Sequence, residues 1–321
     1  MATENHTILL TAGGGNIGSQ LIPRLLEDLS HPKIILPTSN SASLLRRLPF
    51  VSNDQVLVEE GDIKDAQWFE SLLSTHSVNT VFVCLTGVDE LITTFNIFDA
   101  MFKVPSIRHL VYVSACGDYT LQSAVNHGRL LNMCAGHIAV KFISEGKLRY
   151  GMPSESFTWT ILGPGLFTSN DLLYKTSLLE KSFYEEPVGS KGVAKVDTSD
   201  IALAAYKALM DQGRTLNRQK IMIGSLKTYT AAEIAALWSK ALGKEIKAAD
   251  SDEGTLTAFE NLMGKYTSPA WGRDLRLLYE NFNRERFGMT EEDYKRQVEF
   301  LGREPRAYEN FIEETAKSWL Q

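Results

Sequence analysis

A run of small residues, Ala12-Gly-Gly-Gly-Asn-Ile-Gly18, follows an apolar stretch at residues 7–10 and precedes an amphipathic stretch at 19–26. A strand that enters a glycine-rich turn and leaves as a helix offers a diphosphate free backbone N–H groups and the positive end of a helix dipole. If Gly15 and Gly18 are the second and third glycines of such a turn, Ala12 occupies the first position, and Gly13 is expected to carry the bend. Farther along, His137 and Lys141 stand four apart, which on a helix puts both on one face. An ammonium there can hydrogen-bond sugar hydroxyls and lower a neighbour's pKa, and a histidine titrates where a general acid must. Cys116 has no basic neighbour in sequence, which argues against a reactive thiolate.

The elements that must position these groups are legible as apolar, β-branched runs at 8–10, 33–36, 55–58, 80–85, 109–114 and 157–162, with helical patterns such as 66–73 and 91–98 between them. Strands apolar on both faces that alternate with helices predict a doubly wound parallel sheet covered on each side. Ligands of such sheets bind beyond the carboxyl ends of the strands, here the loops 12–18, 37–40, 61–63, 86–89, 114–118 and 163–167. The pattern then changes. Residues 171–181 and 198–211 read as helices and 220–224 as a strand. Residues 230–242 form a helix with Thr230 and Glu233 as a capping pair. The tail is mostly helical, at 254–263, 272–287, 290–300 (capped by Thr290 with Asp293) and 306–320. A dinucleotide-binding domain over 1–165 and a substrate lobe over 166–321, sharing a cleft, are the expected organisation.

The chain has 321 residues, 44% hydrophobic and 22% charged, enough for a substantial core. Its net charge of −6 lacks the basic footprint of a nucleic-acid or anionic-membrane binder. Three cysteines, Cys84, Cys116 and Cys134, form no C-x-x-C pair and leave an odd count, so a reducing compartment is expected. The first six residues lack a signal-peptide pattern, and no apolar run reaches the roughly 18 residues that span a bilayer. A cytoplasmic location follows as the expectation, with a small-molecule substrate, no nucleic acid, no membrane and no metal.

After the second strand, enzymes that use NAD place an acidic residue on the ribose, whereas a nearby arginine suits the 2′-phosphate of NADP. Residues 37–43 supply neither a carboxylate nor an immediate arginine. Thr38, Ser39 and Asn40 can hydrogen-bond a phosphate, and Arg46 or Arg47 can reach it from the next helix. NADP(H) is therefore favoured over NAD(H).

Taken together, the motifs resemble the NmrA-like branch of the atypical short-chain dehydrogenase/reductase superfamily over essentially the whole chain. The resemblance is carried by Thr11 through Gly18, by Gly61-Asp-Ile63, by His137 and Lys141 with Glu145, by Thr160-Ile-Leu-Gly-Pro-Gly-Leu-Phe167 with Asn170, and by Val196-Asp-Thr-Ser-Asp-Ile-Ala202. The strand ending at Ile223 and Gly224 and the stretch from Tyr229 to Ile234 continue it. It implies a Rossmann-type α/β domain for NADP(H) or NAD(H) with a smaller, mainly helical C-terminal lobe. It further implies Thr11, Gly13, Gly14, Gly15, Asn16, Ile17 and Gly18 at the diphosphate, Asp62 and Ile63 at the adenine, and Thr86 and Gly87 by the adenosine ribose. Lys141 falls on the nicotinamide ribose, and Pro164, Gly165 and Phe167 on the loop over the nicotinamide.

Ser114 ends the fifth strand, at the place of the superfamily's catalytic serine or threonine, and its hydroxyl could polarise a carbonyl or imine. His137 stands where relatives have the tyrosine of Tyr-x-x-x-Lys, so His137 or a relocated Tyr119 is the candidate proton donor. Relatives carry arginine where Gly163 stands, so this loop is expected to be more open. From the second lobe Phe167, Leu172, Tyr174, Trp271, Tyr279 and Phe282 are candidates for an apolar pocket, fewer than half of them touching substrate.

Three functions fit. The first is an NADP(H)-dependent reductase of a C=O, C=N or activated C=C bond in a small, largely apolar metabolite, with Lys141, Ser114, Tyr119 and His137 as catalytic candidates. The second is a non-redox isomerase or cyclase on the same fold. The third is a non-catalytic NADP(H)-sensing regulator, the one case that calls for a protein partner.

Overall fold

A computed structural model of the chain describes residues 6–48, 54–126, 135–152 and 157–321. Cys134 and the first five residues lie outside them. In chain order the strands are β1 (Thr7–Leu10), β2 (Lys33–Thr38), β3 (Val56–Glu60), β4 (Thr80–Val83), β5 (His109–Val113), β6 (Thr158–Pro164), β7 (Leu166–Phe167), β8 (Phe183–Tyr184), β9 (Val193–Val196), β10 (Gln219–Ile223), β11 (Thr228–Tyr229) and β12 (Lys247–Ala248). The helices before the middle of the chain are α1 (Gly18–Leu26), α2 (Ser41–Arg47), α3 (Ala66–Thr75), α4 (Glu90–Lys103), α5 (Leu121–Asn126) and α6 (Gly136–Gly146). After it come α7 (Thr198–Asp211), α8 (Ala231–Leu242), α9 (Glu253–Tyr266), α10 (Pro269–Arg284), α11 (Glu291–Leu301) and α12 (Tyr308–Leu320). The chain divides into two compact units. Unit 1 comprises 1–114, 140–162 and 201–221, and unit 2 comprises 115–139, 163–200 and 222–321.

Unit 1 is built on the sheet β10-β6-β5-β4-β1-β2-β3, the doubly wound order. The β1–β2, β2–β3, β1–β4, β4–β5 and β5–β6 pairs run parallel, with Leu9 opposite both Ile35 and Val81. Every residue of β1, β4 and β5 is buried, which is why these strands read as unbroken apolar runs rather than alternating ones. Phe69, Leu73, Ile97 and Phe98 of α3 and α4 pack with Leu110, Tyr112 and Trp159 of the sheet. Gly61, just after β3, leaves no room for a Cβ beneath the Trp68 indole.

Unit 2 carries the sheet β11-β9-β7, the pair β12-β8 and the later helices. The Trp238 and Trp319 rings stack at 5.0 Å. Two capping boxes open helices where the sequence predicts them, Thr230 with Glu233 on α8 and Thr290 with Asp293 on α11. α10 starts three residues before the expected 272, because Ser268 caps it and Pro269 takes the first turn. Gly272 lies inside α10 against the Glu260 carbonyl, where a Cβ does not fit.

The helix expected over 171–181 is instead a 3₁₀ segment, Thr168–Tyr174, followed by a π segment, Ser177–Lys181. Its reason lies in the core. Asp171, Glu186 and Lys195 are all fully buried. The Lys195 ammonium stands 2.9 Å from Glu186 and 3.3 Å from Asp171, and Trp238 Nε1 donates to Asp171 at 3.0 Å. Tyr279 donates to Glu186, and Tyr184 and Tyr308 complete the network. Burial raises the Asp171 pKa. Burial opposes a charged Lys195, but the two carboxylates outweigh it and hold its pKa above the usual lysine value. Anchoring Asp171 by these donors outweighs regular α-helical continuation across the segment.

In unit 1 the buried His109 and the half-buried His6 are held in the neutral form. His109 Nδ1 lies 2.8 Å from Thr158 Oγ1, and His6 Nε2 lies 3.0 Å from Thr80 Oγ1. Burial pushes each pKa down to about 4. A depressed folded-state pKa gives stability that is present above the unfolded value near 6.5 and is lost as pH falls through the window down to 4. For the fully buried His109 the loss should reach about 2–3 kcal/mol near pH 4.5. Urea unfolding at pH 7.5 and 4.5 checks this. The pH dependence should flatten in His109→Asn, and an unchanged slope in that variant would assign the acid loss to other groups.

Candidate functional site

In unit 1 the backbone leaves β1 through a turn closed by Gly15 N–H donating to the Ala12 carbonyl at 2.9 Å. Ala12 itself takes the left-handed conformation, φ 54°, so the bend falls on Ala12 and not on Gly13 as the sequence suggests. Gly13 is nonetheless constrained, since a Cβ there would stand 2.9 Å from the Leu36 side chain. A Cβ on Gly18 would lie 2.5 Å from the Ala12 and Gly13 carbonyl oxygens. The first turn of α1 has no side-chain cap and no acidic residue. Gly14, Gly15 and Asn16 line this turn with partial or full exposure. Such a cradle can hold a diphosphate. Arg47 Nη1 donates to the Gly14 carbonyl at 3.4 Å, which puts a guanidinium on the same turn. The Thr11 hydroxyl faces β4, donating to the Phe82 carbonyl and accepting from Cys84 N–H at 2.9 Å, and so ties the turn to the sheet.

The remaining expected cofactor residues of unit 1 lie on loops at the carboxyl ends of the strands. Asn40 caps α2 by accepting from Ser43 N–H at 2.7 Å, the Thr38 hydroxyl bonds Asn40, and Ser39 is exposed. Beside them Glu60, at the end of β3, accepts both the Ser41 N–H at 2.9 Å and its O–H at 2.5 Å. Those bonds hold the Glu60 pKa below the usual carboxylate value. The sequence reading overlooked this carboxylate because it sits on the third strand, not the second. Asp62 folds its own turn by accepting Lys64 N–H at 2.9 Å, and Ile63 packs against the core. Gly87 has φ +127°, a conformation that excludes side chains, next to an exposed Thr86.

Lys141 on α6 is 7% exposed, and its ammonium pairs with Glu90, donates to the Leu85 carbonyl at 3.1 Å and to the Val113 carbonyl at 3.3 Å. Glu90 is in the first turn of α4, where the dipole favours its charge. The Cys84 thiol nearby is pushed up to about 11 by burial, which keeps it protonated. Ser114 is buried and donates to Glu145 at 2.5 Å. Glu145 in turn receives Lys220 at 2.5 Å and Arg149 at 3.2 Å. Glu145 stands one helical turn after Lys141, but neither Glu90 nor Lys220 carried a signal beyond being charges at the edge of apolar stretches.

Unit 2 contains a cavity of about 220 Å³. Tyr119, Ile138, Met222, Leu278, Phe282 and Met289 are among its walls. Of the six aromatic and apolar residues expected to line a pocket, Phe282 alone is among them. Tyr174 and Tyr279 are core residues beside Glu186, Trp271 packs its ring 5.4 Å from His137, Leu172 is exposed, and Phe167 pairs with Val196. The Tyr119 hydroxyl donates to the Cys116 carbonyl at 3.1 Å, stacked over Gly117. Cys116 N–H donates to Pro164, and Gly165 lies against the Ala194 carbonyl, 2.8 Å from where its Cβ would be. His137, at the start of α6, bonds Asp274 through Nδ1, and the same carboxylate accepts Gly136 N–H at 2.5 Å. Burial alone would raise the Asp274 pKa, but the His137 ring and these amides outweigh it and keep it low. No sequence spacing connects residue 137 to residue 274. Among the described residues no helix is long and apolar enough to cross a membrane.

Comparison with known proteins agrees with this geometry. The chain is similar to the NAD(P)H azoreductase of Xenophilus azovorans, 25% identical over 242 residues covering 75% of each chain. It is also similar to phenylcoumaran benzylic ether reductase IRL1 of Ginkgo biloba, 24% identical over 248 residues, 75% of this chain and 76% of that one. Its backbone matches the triphenylmethane reductase of Citrobacter sp. solved with NADP(H), at a TM-score of 0.72 and 17% identity over 96% of this chain and 99% of that one. The NmrA-like family model covers residues 4–268, and the chain belongs to the NmrA-like family.

Proposed function

We propose that the protein is an NADP(H)-dependent oxidoreductase that reduces a C=O, C=N or activated C=C bond of a small, largely apolar substrate. The observation that carries this reading is the uncapped α1 N-terminus behind a glycine cradle, with the Arg47 guanidinium on the Gly14 carbonyl. The reductase names of the relatives support it. Bound NADPH would supply a hydride. Gly13 through Gly18 would hold the diphosphate, Arg47 the 2′-phosphate, and Lys141 a ribose hydroxyl. The unit 2 cavity, with apolar walls and a few polar groups, has the composition of a substrate pocket. Fluorescence titration with NADPH and then NADH tests the reading, and absence of binding by both would end it.

Two sets of variants sharpen the test. Arg47→Ala should weaken NADPH binding about ten-fold, the scale of a charge-assisted phosphate bond, and leave NADH within two-fold. Glu60→Gln should tighten NADPH, because a carboxylate beside Ser41 repels a phosphate. An equal loss for both coenzymes in Arg47→Ala would remove Arg47 from the 2′-phosphate.

Lys141→Met deprives the buried Glu90 of its ammonium and should cost about 3–5 kcal/mol of stability. The double variant Lys141→Met/Glu90→Gln should regain most of that in thermal unfolding while its NADPH affinity stays about ten-fold down. Wild-type affinity in the double variant would show that Lys141 is a structural ion pair alone.

A further inference from the structure

We propose that His137 and Asp274 form a proton-transfer dyad beside the unit 2 cavity. Nε2 of the imidazole delivers a proton to the substrate atom that hydride addition leaves with an extra electron pair, and Asp274 positions the ring. This rests on the reading of the protein as a reductase with its substrate in that cavity. Three observations carry it.

The first is the hold on the ring. Asp274 bonds His137 Nδ1, and its oxygens also accept the Gly136 N–H at 2.5 Å and the His137 N–H at 3.4 Å. A Cβ on residue 136 would stand 3.0 Å from Asp274 Oδ1, so a glycine there lets the carboxylate close on the start of α6. Trp271, three residues before Asp274 on α10, sets its ring 5.4 Å from the imidazole at 47°. A carboxylate fixed in this way orients an imidazole and balances the charge the ring carries while it holds two protons.

The second is place. The dyad and the cavity both belong to unit 2. Ala135 and Ile138, on either side of His137 in the chain, are in the cavity wall. Leu278 and Asn281, one and two turns after Asp274 on the same face of α10, are in it too. The dyad therefore continues that wall at one end. The His137 side chain is 14% exposed, and with Nδ1 taken, Nε2 is the nitrogen left for a ligand.

The third is the engagement of the other candidates. Ser114 donates to Glu145 at 2.5 Å, and Tyr119 donates to the Cys116 carbonyl at 3.1 Å. The Lys141 ammonium meets Glu90 and two carbonyls. His137 retains a second ring nitrogen beyond its protein partner. Hydride addition to a C=O or activated C=C bond leaves an electron pair on the oxygen of an alkoxide or enolate. The Nε2–H bond then breaks to leave a neutral imidazole, the O–H bond forms, and solvent returns a proton to the ring.

The experiment reads the proton with 4-nitrophenol, a one-ring phenol whose ionised form has its own visible absorption band. Absorbance titration of the intact protein at pH 6, without coenzyme, should show bound probe several-fold more ionised than free probe. That holds whether the ring takes the phenol proton or already carries one. His137→Gln should still bind the probe but lose the excess ionisation, and His137→Asn is the second variant should the first fold poorly. No binding, no excess in the wild type, or the same excess in the variants would overturn the proposal. A second arm follows NADPH oxidation with 4-nitrobenzaldehyde. His137→Gln should lower kcat about 100-fold and Asp274→Asn about ten-fold, with KM and NADPH affinity within two-fold. Unchanged kcat in His137→Gln would also overturn it. Excess ionisation that depends on His137, without NADPH oxidation by the wild type, would uphold the dyad and count against the reductase reading instead.

Discussion

Where β1 gives way to α1, the backbone is so closely folded that Gly18 has space for a hydrogen and nothing larger against the Ala12 and Gly13 carbonyls. Everything at this end of unit 1 depends on that contact. It forces Ala12 into the left-handed region, at about 1–2 kcal/mol for a residue with a Cβ, and presents the start of α1 bare of any side-chain cap. The preceding residue, Thr11, then locks the turn to Cys84, just past the end of β4. One residue beyond Cys84, the Leu85 carbonyl receives the Lys141 ammonium. A steric limit at one glycine is thus relayed through two hydrogen bonds to a charge on a helix more than a hundred residues later.

Among the described residues Lys141, Lys195 and Lys220 have side chains largely withdrawn from water, and each meets a carboxylate. Burial of an ion pair seldom adds net stability, because desolvation offsets the Coulomb attraction, so its use lies in fixing where a charge points. Lys195 illustrates the fully enclosed case: two carboxylates, three phenols and an indole saturate the network, which fixes the core of unit 2 and offers nothing to a ligand. Lys220 shares one oxygen of Glu145 with Ser114, so the serine is orientated by the same carboxylate that neutralises the lysine. Lys141 differs in that two of its three partners are carbonyls at the ends of β4 and β5, the region where a parallel sheet receives ligands.

The sheet was legible because strands buried on both faces must be apolar at every position, and β1, β4 and β5 are. Capping residues marked α8 and α11 for the same local reason. What the sequence withheld was set by contacts across long stretches of chain. Tyr174 and Tyr279 have the spacing of pocket aromatics, yet both are buried in the core beside Glu186, a carboxylate that no periodicity reveals. The cavity is lined instead by Met222 and Met289, flexible apolar residues that give no pattern of their own. The 171–181 segment reads as helical by composition, but the demand of a buried aspartate for donors overrides a weak local preference.

The acid–base capacity of the chain is narrower than its inventory of hydroxyls suggests. Ser114 gives its proton to Glu145 and Tyr119 to a backbone carbonyl, so each offers lone pairs rather than a proton to its surroundings. His137 is different in kind. Asp274 holds Nδ1 and also the amide at the start of α6, while Trp271 lies against the ring, so the imidazole is fixed on two sides. With Nδ1 held by Asp274, Nε2 is the ring nitrogen left to face its surroundings. One carboxylate on α10 thus fixes the orientation of the imidazole at this helix end.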